Sequence, residues 1–503
     1  MDPDSIELCS PCGYADNRDP PASWGRPVVG VATAGGFFNP ARRWFPPPCT
    51  ERSSHGQIFG YDRRSPGTAA VAVHPAHPAG NLLHQAYSIT DSVVVGRYLG
   101  QTALAAVGCT SPIVMLLAAL MIGINVGVGI LISQYFGRRD FAGIRRALVN
   151  SLYLGLFIAV VLIALGLLLA EPILRWMGTP EAPLQDTAAY LRINFLTTIC
   201  PLFYYLFSSV FRGMGDSRTA LYCLIVAALG NVGLDVLFVA VFRWGVAGSA
   251  WATALAQALS ALFAAVLLYR CYPEIHLRRE DLPFDRKLFG RITGLAVPIA
   301  LQSAFNNLSN VVAQSGVNTF GETVMASYTA ASRLGTLALM PVETIASSLS
   351  VYAGQNHGAG KPRRVRLGVR AAMGLSLAVS AVLAVVLLLF GGTMARLFLT
   401  EPSPEVLQVV QRYLLITAVP GFLAAIMNIY QQVLRGVNRP NQALTGGIMQ
   451  LAAKILAVAA GAWVFHSLDV VWLGWPLSFV AGSIVPFLCF RHYLRHNETD
   501  PAN

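Results

Sequence analysis

From residue 80 to residue 490 the chain alternates long apolar runs with short polar breaks. Runs such as Ala147–Ala170, Leu221–Phe242 and Ala371–Phe390 have the length of about 20 residues that a helix needs to cross the hydrocarbon core of a bilayer. The pattern predicts twelve spans, at 80–99, 104–133, 147–170, 187–210, 219–243, 246–270, 290–319, 326–354, 368–390, 407–433, 442–465 and 470–490. Residues 1–79 differ. They are rich in Pro, Arg, Gly and Ser, with no helical period and no apolar span. They read as a disordered segment or as an artefact of a misassigned start. The short apolar stretch of a secretory signal is lacking.

Composition agrees with lipid as the main solvent. Only 12% of the 503 residues are charged and 54% are hydrophobic, against about 25% charged in ordinary soluble domains. The net charge of +11 does not point to nucleic acid, because the basic residues sit in short clusters between apolar runs. Arg138, Arg139, Arg145 and Arg146 form one cluster, Arg212 and Arg218 the next, then Arg278, Arg279, Arg286 and Lys287. Lys361, Arg363, Arg364 and Arg366, and then Arg435 and Arg439, continue the alternation. The intervening turns carry acids such as Glu171, Glu181 and Asp186. By the positive-inside bias, the basic loops and both termini are expected in the cytoplasm. Cys9 and Cys12 form a CxxC with only Cys49 nearby, which falls short of the four ligands of a structural zinc site.

The chain repeats internally. Gly100-Gln101-Thr102-Ala103-Leu104-Ala105 aligns with Gly321-Glu322-Thr323-Val324-Met325-Ala326 at an offset of 221 residues, as do Gln134 with Gln355, Gly137 with Gly358 and Arg145 with Arg366. At an offset of 223, Tyr190-Leu191 aligns with Tyr413-Leu414 and Arg212-Gly213 with Arg435-Gly436. Each half holds six spans, so both enter the membrane the same way up, as a parallel repeat about an axis along the membrane normal. The expected fold is an all-α polytopic membrane protein of two pseudo-symmetric six-helix bundles, with a first helix that the sequence leaves short. Its expected divisions are the N-terminal segment 1–79, an N-lobe 80–270, a linker 271–290, a C-lobe 291–490 and a tail 491–503. Such a pair of bundles has a cleft between them and suits a transporter.

Ionisable residues inside spans are expensive and so are functional candidates. Here they are Asp91, Asp235, Arg333, Glu343 and Lys454. Asp91, Asp235 and Thr253 each lie nine residues from an outer turn, about 13 Å deep at a helical rise of about 1.5 Å per residue. Asn231 precedes Asp235 by four positions and shares its face. Two carboxylates, an amide and a hydroxyl at similar depth offer hard oxygen ligands to a monovalent cation. The same carboxylates, desolvated, could carry a proton. No other metal is expected. Glu343, just after Pro341, and Lys454 could form a relay or an internal salt bridge, and the salt bridge is the favoured reading. Gln85, Tyr87, Asn125, Tyr205, Asn306, Tyr328 and Gln432 are candidate cavity-lining residues. Gly123-x-x-x-Gly127 reads as a close helix-packing motif. Pro112, Pro201, Pro298 and Pro420 are candidate bends.

Three segments carry a family resemblance. Asp91-Ser92-Val93-Val94-Val95-Gly96-Arg97-Tyr98-Leu99-Gly100 resembles the end of the first helix of multidrug and toxic compound extrusion (MATE) exporters. Gly354-Gln355-Asn356-His357-Gly358-Ala359-Gly360-Lys361 resembles the loop after their eighth helix, and Arg212-Gly213-Met214-Gly215-Asp216 their fourth-to-fifth connection. The resemblance runs over residues 80–490. It implies two six-helix lobes around a V-shaped cavity, and export of cationic or amphipathic compounds in exchange for sodium or protons. Asp91, Asn231, Asp235 and Thr253 match the N-lobe cation site of DinF-like and archaeal members. The C-lobe acids of NorM-type members have no counterpart, since Gln302, Asn306 and Asn307 occupy the seventh helix and the tenth carries no acid. Members also carry a full first helix with a proline well before its acid, where this chain has His74-Pro75-Ala76-His77-Pro78.

The favoured function is a secondary active multidrug exporter working by a rocker-switch, a monomer in a bacterial-type inner membrane. It would use no cofactor beyond the coupling Na+ or H+. Its partners would be small cationic or amphipathic substrates and membrane lipid, with no nucleic acid. The alternative is a flippase for a lipid-linked oligosaccharide, which would want basic residues in the cavity. A remote alternative is an intramembrane aspartyl hydrolase using Asp91 and Asp235. No GxxxxGK[ST] phosphate loop is present to couple ATP.

Overall fold

The computed structural model describes residues 98, 110, 113–176, 181–396, 403–417 and 419–498. The expected first span lies outside these residues except for Tyr98, and so does the Cys9/Cys12 pair. The described chain runs α1 (Ile113–Arg138), α2 (Phe141–Trp176), α3 (Glu181–Leu196), α4 (Ile199–Met214), α5 (Ser217–Asp235), α6 (Gly245–Cys271), α7 (Arg286–Asn318), α8 (Glu322–Gly358), α9 (Pro362–Ala395), α10 (Pro404–Thr417), α11 (Gly421–Gly436), α12 (Pro440–Ala459) and α13 (Leu468–Glu498). Among the described residues nine helices are long and apolar enough to cross a membrane, and two bent pairs bring the number to eleven. No strand occurs among them.

The helices start where local chemistry supplies a cap. Asp216 opens α5 by accepting from the backbone N–H of Thr219 at 3.0 Å, and Asp285 opens α7 by accepting from Lys287 and Leu288 at 2.9 and 3.1 Å. Both carboxylates satisfy donors that no helical carbonyl reaches. Pro362 and Pro440 sit at the first helical positions of α9 and α12, where a missing N–H costs nothing.

Two expected spans are bent rather than straight. The span expected at 187–210 divides into α3 and α4 at 45°, and that at 407–433 into α10 and α11 at 44°. Pro201 and Pro420 lie at these breaks. A proline ring removes a donor and crowds the preceding turn. Threonine hydroxyls take up carbonyls there, Thr198 donating to Asn194 O at 3.0 Å and Thr417 to Tyr413 O at 2.8 Å. Pro298, by contrast, sits inside the continuous α7.

The repeat is written in the backbone. Left-handed conformations recur at Arg139 and Gly360, Gly215 and Asn438, and Arg243 and His466, pairs separated by 221, 223 and 223 residues. α5 and α12 both widen into π-helices, at Val236–Val241 and Ala460–Val464. α2 and α9 hold matching outer positions, with Leu165, Leu168, Val382 and Leu389 turned outward. These exposed apolar side chains face lipid in a membrane fold.

The two lobes meet at the end that carries the basic loops. A Cβ on Gly123 would lie 2.5 Å from Ala300 Cα, and one on Gly127 2.7 Å from Ala296 Cα. The glycine motif of α1 therefore lets α7 approach at backbone distance. Nearer the basic end, Gln134 donates to Gly436 O at 3.1 Å and Gln355 donates to Gly213 O at 3.1 Å. These are one interaction made twice by the pseudo-two-fold. Gly137 and Gly358 pack against the carbonyls of Gln355 and Gln134 with no room for a side chain.

Candidate functional site

The chemistry expected at Asn231, Asp235 and Thr253 gathers between α5 and α6. Both helices start from opposite ends of the lobe, so their middle residues cross. Asn231 Nδ2 donates to Thr253 Oγ1 at 3.1 Å. Asn231 and Asp235 are each 1% exposed. Asn231 Oδ1 has no hydrogen-bond partner among the described residues. A buried amide oxygen left without a donor is costly, and it is the kind of ligand a hard cation takes. Asp235 lies one turn further from the basic-loop end on the same face. Asp91, the fourth member of the expected set, lies outside the described residues, as do Gln85 and Tyr87.

Two features of this site had no reading in the sequence. The helix changes to π geometry directly after Asp235, so Phe242 N–H bonds Leu237 O at 2.9 Å, five residues back. π-turns widen a helix locally and recur at functional positions. Phe238, Phe242 and Trp244 then stack on one another, with Phe238 and Trp244 centroids 4.7 Å apart, and cap the outer end of the helix pair. Aromatic residues spaced at i, i+4 and i+6 near a helix end were the available signal. One turn inward from Asn231 a small cavity of about 10 Å³ is lined by Tyr204, Tyr205, Leu224, Ala227, Ala256 and Gln257, about the room of one water.

The C-lobe candidates fall differently. Glu343 and Lys454 form no ion pair. Glu343 is exposed, while Lys454 is 3% exposed with its ammonium 4.6 Å over the Trp475 ring. The favoured salt bridge is thus replaced by a cation–π contact. The reason is packing: α8, continuous through Pro341, lies against α9, α10 and α11, whereas α12 lies chiefly against α13, which carries Trp475. Tyr328 belongs to the aromatic nest around Trp475, with Tyr413 5.5 Å away edge-on. Gln432 and the buried Gln302 accept from Arg435, at 3.3 and 2.7 Å, and Gln302 donates to Gln431 at 2.7 Å. Asn125 donates to Met121 O of its own helix at 2.8 Å. Asn306 is half-buried and Arg333 exposed. No cluster of three or more His, Cys, Asp or Glu suited to a metal occurs among the described residues.

Two lobes related by a parallel repeat, with five spans in the first and six in the second among the described residues, and with a polar pair buried in one and a cation in the other, define a two-lobed membrane transporter. The comparisons make this specific. The family model described as MatE matches residues 79–237 and 298–460, one block in each lobe, and the chain belongs to that family of efflux transporters. It is 28% identical over 414 residues to the probable multidrug resistance protein YoeA of Bacillus subtilis (strain 168), covering 80% of this chain and 89% of the relative. It is 25% identical over 378 residues to a protein of Shewanella oneidensis named FAD transporter, covering 74% and 83%. The crystal structure of a MATE protein in its bent conformation superposes with a TM-score of 0.79 at 22% identity, covering 86% of this chain and 96% of that one. A transporter of the MOP superfamily from Pyrococcus furiosus superposes at 0.78 and 23% identity, covering 84% and 95%.

Proposed function

We propose that this protein is a multidrug exporter that drives small cationic or amphipathic compounds outward in exchange for Na+ or H+. The observation that carries the reading is the buried Asn231–Thr253 bridge with Asp235 on the same face. A buried carboxylate on the same face as an amide oxygen that no donor reaches, out of water, gains from a bound cation or proton. Asp91, which lies outside the described residues, would complete the DinF-like set that the family resemblance implies. Loading of the N-lobe by the ion would disfavour cargo, and cargo would disfavour the ion, by the same coupling free energy. The lobes 80–270 and 291–490 would rock about the linker 271–290 in a monomer that does no covalent chemistry on its cargo. The basic loops support a reading with both termini in the cytoplasm of an inner membrane.

The test is efflux of a fluorescent cationic dye from proteoliposomes under an imposed sodium gradient and then a proton gradient. Wild type should respond to one of them, and Asp235→Asn should lose at least about tenfold of that response while keeping its fold. Dye efflux indifferent to both gradients, or unaltered in the variant, would overturn the reading.

A second reading concerns the cargo. Lys454 and Arg435 are buried cations in the C-lobe, and neither has a carboxylate partner among the described residues. They favour a cargo with an anionic group, in line with the relative named FAD transporter. Competition of flavin dinucleotide against dye efflux, in wild type and Lys454→Met, separates the two cargoes.

A further inference from the structure

A second polar cavity lies far from the N-lobe pair, at the basic-loop end. It measures about 190 Å³ and is lined by Tyr135, Gly143, Arg146, Asp285, Lys287, Leu288 and Arg291. Three cations meet there, Arg146 from the start of α2 and Lys287 and Arg291 from the start of α7, beside Tyr135 from the end of α1. Arg146 and Lys287 are exposed and have no ion pair among the described residues. The one acid, Asp285, is committed to the start of α7, where it accepts from two backbone N–H groups. Arg291 stacks over Tyr135 at 5.6 Å and donates to Gln134 Oε1 at 3.1 Å. Gln134 is the side chain that crosses to Gly436 of the other lobe. The cavity is therefore electropositive and touches the inter-lobe contact.

Its surroundings say which anion fits. The linker segment beside it exposes Leu282 at 47% and Phe284 at 56%. That segment is held against α2, with Tyr153 donating to Leu282 O at 2.7 Å and Phe284 resting on Tyr153 and Phe289. Exposed apolar side chains next to unpaired cations, at the mouth of a membrane span, suit a molecule with an acidic head and an apolar tail. A freely soluble phosphate would gain nothing from Leu282 and Phe284.

We propose that the cavity between Arg146, Lys287 and Arg291 binds the phosphate of an anionic phospholipid from the leaflet facing the basic loops, and that the bound lipid steadies the Arg291–Gln134–Gly436 contact between lobes. Arg146 and Lys287 clamp the phosphate oxygens, and Arg291 offers them its remaining N–H donors. The acyl chains pass over Leu282 and Phe284. The leaflet rests on the orientation proposed above; the site itself does not.

The test counts lipid and needs no transport. Full-length protein in phosphatidylcholine membranes containing phosphatidylglycerol is released and the retained lipid counted by native mass spectrometry. Three proteins are compared: wild type, Arg146→Gln/Lys287→Gln, and Lys361→Gln/Arg363→Gln, which removes equal charge from the C-lobe. The cavity variant should retain about tenfold less phosphatidylglycerol, with the C-lobe variant like wild type. Glycerol 3-phosphate in solution should not displace the lipid. Equal retention in the two double variants would reduce the effect to surface charge and overturn the proposal, and so would displacement by soluble glycerol 3-phosphate. In both cases the exporter reading would stand untouched, since dye efflux is measured separately.

Discussion

The two lobes share a backbone and differ in charge at one corresponding place. The offset of 223 that aligns the starts of α5 and α12 sets Lys454 where the N-lobe has Asn231, and Val458 where it has Asp235. Thr253 falls on Pro476, one residue after Trp475. So the N-lobe holds an amide–hydroxyl bridge beside a carboxylate, and the C-lobe holds an ammonium over an indole face. Both helix pairs end in π geometry. The difference teaches that the fold offers the same buried slot twice, and side-chain chemistry decides its use. On the proposed function, one slot takes a visiting cation. The other carries its own cation tethered to the chain, and a second positive charge there would be repelled.

The strongest way to break the comparison is to make the lobes alike. Lys454→Asn/Val458→Asp gives the C-lobe the N-lobe's groups. Transport plotted against coupling-ion concentration should then steepen, with a Hill coefficient moving from about 1 toward about 2. An unchanged slope in a folded protein would show that the slot's surroundings, rather than its polar groups, set the ion's choice.

Next in size is the contact the lobes share. Gly127→Leu forces side-chain atoms against Ala296 and should cost about 1–3 kcal/mol of stability, seen as a lowered melting temperature. Gly294→Ala, with open space around it, is the control and should melt like wild type.

The paired glutamines sharpen the comparison further. Removing either inter-lobe hydrogen bond should cost about 0.5–1.5 kcal/mol, read from the distance between spin labels at Arg139→Cys and Lys361→Cys. The two are not equivalent. Gln134 also accepts from Arg291, so Gln134→Ala should part the labels more often than Gln355→Ala.

The smallest effect lies in the linker. Asp281 accepts from Arg145 Nε at 2.7 Å and from the Arg278 N–H at 3.1 Å. Burial pushes its carboxyl up, but these hydrogen bonds and the two positive charges outweigh burial and hold it below the ordinary carboxylate value. A lowered folded pKa gives stability that is present above the unfolded value and lost as pH falls through the folded one. Acidifying below the usual aspartate range should therefore loosen the linker from α2 in wild type. Asp281→Asn should remove that pH response, as followed by limited proteolysis at residues 272–285.

Much of this could be read before any coordinates. The spans from residue 113 onward, the offsets of 221 and 223, and the common level at which Asn231 meets Thr253 follow from periodicity and fixed helical rise, which are local rules. The glycine motif of α1 announced close packing. The bends after Leu196 and Thr417 were only half legible: Pro201 and Pro420 marked the places, but a proline in α7 left its helix whole. Glu343 and Lys454 show the limit. Both are ionisable, both lie in spans, and spacing alone invited a pair.

The sequence by itself determined the lobes, their repeat and the polar character of each buried slot, because hydrophobic pattern and helix geometry act over one or two turns. Tertiary structure alone decided that Lys454 meets Trp475 instead of Glu343, that two glutamines 221 residues apart make the same contact in reverse, and that Arg146, Lys287 and Arg291 close on one cavity. Those outcomes depend on how helices from distant parts of the chain rotate and cross, and no local pattern fixes an angle set by the packing of both partners.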